Sequence, residues 1–195
     1  MHSELVHKGV VMQSIQVKEL MVPLAEYATV SEEATLGEAV SALEKAQQSV
    51  DSNREKYRAI LVLDKTGRVV GKLDQWTVLW SLEPRYKTMG NLRETSRYGF
   101  SPNFLKSMID YYDLWRKPLE GLCRNAADMK VKTMMHTPTE SEYVGENDSL
   151  DAAIHLLVMG RHQSLLVTRG EDIVGVLRLS DVFNKICDAI KACKV

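Results

Sequence analysis

The chain states one pattern twice. Val17-Lys18 recurs as Val131-Lys132, and Thr35-Leu36 recurs as Ser149-Leu150, each 114 residues further on. Val69-Val70-Gly71 recurs as Ile173-Val174-Gly175 at a spacing of 104, so the large length difference between the copies falls at about Ala46 to Tyr57. Two copies are too few for a solenoid, in which each unit needs neighbours on both sides. They suit two half-domains packed about a pseudo-two-fold axis, with crevices between them for a ligand.

Each copy reads in the same order. A short apolar segment (Val17 to Met21; Val131 to Met135) leads to a turn with Pro23 or Pro138, then a brief strand, Ala28-Thr29-Val30 or Glu142-Tyr143-Val144. Thr35-Leu36-Gly37-Glu38 has the spacing of a capping box, and Asp148-Ser149 offers N-cap oxygens at the matching place. Leu36, Ala39, Val40 and Leu43, and then Leu150, Ala153, Ile154, Leu157 and Val158, fall at helical spacing. Two β-rich runs joined through Gly67 or Gly170 predict a hairpin in each copy, and a second helix closes each unit, about Trp76 to Leu82 and about Ser180 to Ala192.

This order sets the expected boundaries: an N-terminal segment 1–16, a first unit 17–82, a linker 83–130, a second unit 131–190 and a tail 191–195. In the linker, Ser101-Pro102 is a helix start, and Phe104, Leu105, Met108, Ile109, Tyr112 and Trp115 recur three or four apart, predicting an aromatic helix over about 102–116. That helix either packs on the body of the protein or presents a docking face. The stretch from Arg85 to Arg97 reads as a solvated connector, and the insertion at Ala46 to Tyr57 as a mobile loop.

Composition narrows the function classes. With 25 basic and 26 acidic residues there is no net field to draw nucleic acid or an acidic membrane. No apolar run approaches the roughly 20 residues of a membrane span, and the start of the chain, with Glu4 and the short Val10-Val11-Met12, is a poor signal peptide. Cys123, Cys187 and Cys193 form neither a CxxC nor a disulfide framework, which suits a reducing, cytoplasmic setting. His136, His155 and His162 lack metal-ligand spacing. No phosphate-binding Gly-rich loop, nucleophile elbow or zinc-protease motif occurs, so the expectation is not an enzyme, with no required cofactor.

The duplicated strand–helix–strand–strand–helix unit, with a Gly-hydrophobic-hydrophobic strand end and a carboxylate entering the last helix, resembles a CBS-domain pair, or Bateman module. The resemblance spans about Val17 to Leu82 and Val131 to Ile190 and implies an α+β fold of two half-domains with a helical linker between them. In that family the last strand ends Gly-h-h-Ser/Thr-x-x-Asp; the hydroxyl meets a phosphate and the Asp holds the ribose hydroxyls of an adenine nucleotide. The second copy reads Gly175-Val176-Leu177-Arg178-Leu179-Ser180-Asp181. The resemblance places Asp181 at the ribose and Arg178 at the phosphate, where a guanidinium replaces the usual hydroxyl, with Ser180 between them. On the adenine side it implies Glu142, Tyr143 and Val144 with His162, Gln163 and Ser164.

The first copy departs from the pattern. Gly71-Lys72-Leu73-Asp74-Gln75-Trp76-Thr77 sets a carboxylate where a phosphate would sit and a single hydroxyl against a diol, so it should reject phosphate unless Lys72 or a basic group from elsewhere compensates. It is therefore expected to be a degenerate site. The resemblance implies a homodimer that senses an adenosine-containing ligand (AMP, ADP, ATP, S-adenosylmethionine or a dinucleotide) in the second copy and signals to an unknown effector protein. The alternative is a structural or interaction subunit that binds no nucleotide.

Overall fold

The computed structural model describes residues 15–48, 58–89, 99–116 and 118–192. The N-terminal stretch through Ser14, the insertion from Ser49 to Tyr57, the connector from Gly90 to Tyr98 and the end of the chain from Cys193 lie outside the described residues. The strands are β1 (Val22–Pro23), β2 (Thr29–Ser31), β3 (Ala59–Leu63), β4 (Val69–Asp74), β5 (Tyr143–Gly145), β6 (Ser164–Arg169) and β7 (Asp172–Arg178). The helices are α1 (Leu36–Gln48), α2 (Gln75–Leu82), α3 (Pro102–Tyr111), α4 (Leu119–Ala127), α5 (Leu150–Gly160) and α6 (Leu179–Ala192). The expected mixed α+β order is present in both copies, and the apolar leaders Val17–Glu19 and Val131–Thr133 are single 3₁₀ turns.

The compact units are not the two contiguous repeats. Among the described residues, one unit joins the chain up to Tyr27 with the chain from Pro138 onward, and the other runs from Ala28 to Thr137. The difference from boundaries at 17 and 131 has a physical cause, because each repeat lends its leader to the other repeat's sheet. In the first unit β1 pairs antiparallel with β7, Val22 opposite Val176, giving the order β1-β7-β6-β5. In the second unit the order is β2-β3-β4, and His136 takes the equivalent place beside β4, exchanging two backbone hydrogen bonds with Lys72 at 2.9 Å each. An edge strand presents a row of unpaired backbone groups, and the exchanged leader covers it.

The leaders are tied down in one register. Val17 N–H donates to the Asp148 carbonyl (3.0 Å) and Val131 N–H to the Ala34 carbonyl (2.8 Å), which are equivalent positions. Lys18 N–H reaches the Glu146 carbonyl and Lys132 N–H the Glu32 carbonyl. The side chains follow suit. Lys18 Nζ donates to Asn147 Oδ1 at 2.9 Å, and Lys132 Nζ contacts both Glu33 carboxylate oxygens at 2.9 and 3.1 Å. That hydrogen bond and the Lys132 charge hold the Glu33 carboxyl below its ordinary value. The repeated Val-Lys dipeptide is thus a fastening: valine enters the core, fully buried in both copies, and lysine clips the turn before the helix.

The first unit's core gathers Val17, Val144, Leu150, Ala153, Leu157, Leu165, Val167, Leu177 and Val182. Helix α1 opens with the expected capping box, the Glu38 carboxylate accepting from Thr35 N–H at 2.7 Å and Thr35 Oγ1 from Glu38 N–H at 3.2 Å. At α5 the N-cap expectation is modified: Ser149 makes no side-chain cap, and Asp148 Oδ2 instead accepts from Gly145 N–H at 2.7 Å, tightening the turn before the helix. Val40 and Val158 share the helical spacing of the core residues but face outward.

The linker differs most from expectation. The aromatic helix α3 stops at Tyr111 rather than near 116, and no residue of it is buried. Beyond it Asp113 and Trp115 adopt left-handed backbone, φ 58° and 59°. The buried Glu83 carboxylate accounts for the turn, because Oε2 accepts from Trp115 N–H at 2.8 Å while Oε1 accepts from Arg85 N–H at 3.1 Å. Tyr86 stacks on Trp80 and meets Trp115 edge-on, its hydroxyl accepting from the Trp115 indole at 3.0 Å. Pro118 precedes α4, whose Leu122 and Ala126 are buried.

Candidate functional site

The end of β7 and the start of α6 place Arg178 and Asp181 three residues apart, the spacing at which side chains meet at a helix start. They form a two-pronged ion pair: Arg178 Nε donates to Asp181 Oδ2 at 2.5 Å and Nη2 to Oδ1 at 2.6 Å. Both side chains are largely screened from solvent, 11% and 19% exposed. Beside them lies a cleft of about 440 Å³, within the roughly 300–1,000 Å³ of small-molecule sites. The exchanged leader, Glu19 to Pro23 and Glu26, lines one side, and Asn184, Lys185 and Asp188 of α6 the other.

Sequence alone brings Arg178 and Asp181 to this place but misses the leader, because nothing in chain order says that Val22 pairs with Val176. The adenine-side candidates lie elsewhere in the same unit. Glu142 is buried, its carboxylate accepting from Thr139 N–H at 3.2 Å in a capping box. Val144 is a core residue, and Tyr143 is half-buried opposite Leu166. The His162 ring folds back over Gly160 and lies 3.3 Å from Ser141 Oγ. Gln163 and Ser164 come nearer: the Gln163 carbonyl accepts from Leu179 N–H at 3.0 Å, and Ser164 pairs with Arg178 across the strands. Ser180 is half-buried in the first turn of α6.

The equivalent pair in the first copy is closed by a different bond. Asp74 caps α2, its Oδ1 accepting from Thr77 N–H at 2.8 Å and Thr77 Oγ1 at 2.7 Å. Lys72 is buried, and its backbone is the rung that holds His136. Strand end and helix start are thus joined in both copies, as acceptor to donor in the first and donor to acceptor in the second. Among the described residues no group of three or more His, Cys, Asp or Glu is placed to hold a metal ion, and no helix is long and apolar enough to cross a membrane.

Two β-α-β-β-α modules, each with a side-chain pair joining strand end to helix start, define a tandem repeat of one α+β unit. The CBS-domain profile matches residues 17–83 and 131–188, more than half of the sequence, and the chain belongs to the CBS-domain family. CBS domains are regulatory modules. Comparison with curated proteins finds no match. Among solved structures, a CBS domain-containing protein of unknown function from Bacillus anthracis is 18% identical, with a TM-score of 0.60 over 91% of this chain and 96% of that one. The CBS domain of a membrane protein from Sphaerobacter thermophilus is 17% identical, TM-score 0.57, over 89% and 88%. CBSX2, solved in complex with AMP, is 17% identical, TM-score 0.56, over 89% and 97%. At these identities the likeness shows the fold.

Proposed function

We propose that the chain is a regulatory sensor whose second-repeat cleft takes an adenosine-containing ligand and whose output is read by a separate effector protein. The observation that carries this reading is the position of Arg178 and Asp181 together beside a cleft of suitable size. A carboxylate offers two acceptors to a vicinal diol, and a guanidinium matches a phosphate. The AMP complex of the similarly folded CBSX2 supports the ligand class. Charge refines it: Arg178 and Lys185 match one phosphate dianion, whereas Glu19, Glu26 and Asp188 line the same cleft and oppose further phosphates. AMP is therefore favoured over ATP in the absence of a divalent cation. Sensing requires that the ligand bind one arrangement of the protein better than another, since equal affinity shifts nothing.

Calorimetric titration with AMP, ATP and S-adenosylmethionine tests the reading. AMP is expected to bind the full chain, and Asp181→Ala to abolish binding with the fold retained by circular dichroism. Silence of all three ligands at millimolar concentration would leave the second reading, an interaction subunit without nucleotide. That alternative is favoured by the internal closure of both pairs, Asp74 with Thr77 and Arg178 with Asp181. In either case the chain is proposed to act as a homodimer, through exposed apolar side chains on its helices: Trp76 and Leu79 on α2, Val158 and Met159 on α5, Leu179 and Phe183 on α6.

A further inference from the structure

We propose that the Arg178–Asp181 pair is a latch, which opens only to a ligand that brings its own anion alongside the ribose diol. This inference rests on the adenosine-ligand reading of the cleft and adds how the site rejects a bare nucleoside. Both carboxylate oxygens of Asp181 are taken by Arg178, one by Nε and one by Nη2. These are the acceptors a diol needs. The pair is short, two-pronged and mostly hidden from water, so bulk solvent competes with it weakly. A nucleoside without phosphate has nothing to offer the guanidinium. Its binding takes away the guanidinium's carboxylate partner and returns no anion, and its measured affinity falls by the fraction of time the latch stands open. A phosphate takes over the guanidinium and releases the carboxylate to the sugar in the same event, so the guanidinium keeps an anionic partner throughout.

The first copy shows why the device belongs to the second. There the carboxylate of Asp74 sits on the strand-end side and its partner is the neutral hydroxyl and backbone N–H of Thr77. An arriving phosphate would meet a carboxylate, with no cation in the pair for it to capture. That closure is a helix cap and cannot be opened by an anion.

Calorimetry on the full chain with AMP and adenosine as probes decides the matter. Wild type is expected to bind AMP at least about tenfold more tightly than adenosine, and Arg178→Met to gain adenosine affinity by about tenfold while losing most of the AMP preference. The double variant Arg178→Met/Asp181→Asn should lose that gain, tying it to the freed carboxylate. Arg178→Lys keeps the charge but not the fork; it is expected to show a smaller gain and serves if the methionine variant fails to fold. Unchanged or weaker adenosine binding by both Arg178 variants, with AMP still bound by wild type, overturns the latch and leaves the sensor reading standing. Adenosine bound by an Arg178 variant, with AMP ignored by wild type, shows a pair that shuts the carboxylate away but does not yield to an anion, and overturns both the latch and the AMP reading. Silence of both probes with wild type and both variants overturns both.

Discussion

A Cβ built on Gly175 would lie 2.7 Å from the Val22 carbonyl and 3.0 Å from the Met21 sulfur, and one on Gly71 would lie 2.6 Å from the Met135 sulfur and 3.1 Å from the His136 carbonyl. The two repeated glycines are therefore the places where the exchanged leaders cross the last strands. Gly175→Ala would push a methyl into the Val22 carbonyl and is expected to lower stability by about 1–3 kcal/mol in chemical denaturation, whereas Gly71→Ala meets first the Met135 side chain, which can move, and is expected to cost less. Asp64, in the turn between β3 and β4, accepts from Thr66 Oγ1, Thr66 N–H and Arg68 N–H at 2.7, 2.8 and 2.9 Å. Led by the Thr66 hydroxyl, these bonds lower its carboxyl from the ordinary 3.8 to about 2. A depressed carboxylate stabilises the folded state above its unfolded value, so this contribution is full above about pH 4 and is lost as pH falls through about 2. An NMR titration of the Asp64 carboxyl should show that midpoint, and Asp64→Asn should flatten the stability profile in that window. At this scale the sequence was readable by residue type. Gly71, Gly175, Arg178 and Asp181 stood out by position, and the i,i+3 spacing of opposite charges already held the signal for the ion pair. What the glycines were making room for could not be read, because their neighbours are far away in the chain.

Helices and hairpins followed their local chemistry closely. Capping at Thr35, the glycine turns and the apolar spacing of α1 and α5 are all short-range signals, and each produced the expected element. The linker did not, because the end of α3 is set by Glu83, which reaches Trp115 across 32 residues of sequence. Helix α5 ends on Arg161 in left-handed backbone, φ 51°, with its N–H donating to the Val158 carbonyl and the next N–H to that of Leu157. A side chain there is strained and glycine is not, so Arg161→Gly is expected to stabilise by about 0.5–1 kcal/mol, seen as a small rise in Tm. The leaders are fastened equivalently and both valines are fully buried. Val17→Ala and Val131→Ala should therefore destabilise alike, by about 2 kcal/mol each in urea titrations. A large inequality between them would show that one leader contributes much less than the other.

For the molecule as a whole, apolar side chains on α2, α5 and α6 remain uncovered, Trp76, Met159 and Phe183 each more than 60% exposed. Trp76 with Leu79 on α2, and Leu179 with Phe183 on α6, stand three or four residues apart on one helix, and exposed apolar patches usually mark an interface. If they form the proposed homodimer, Trp76→Glu and Phe183→Glu should each halve the mass found by sedimentation, while Tyr111→Glu, on the linker helix, should leave it unchanged. The lending of leaders has a further consequence for how such a chain could arise. A fragment encoding one repeat would carry a segment that fits another repeat's sheet, and a sheet whose last strand awaits a segment from elsewhere. Two identical fragments can satisfy each other by trading those segments, as in a swapped dimer. Joining the two in one chain makes the trade internal and independent of concentration. Each copy is then free to change its strand-end pair, as Asp74 with Thr77 and Arg178 with Asp181 now differ, without losing the partner that completes its sheet.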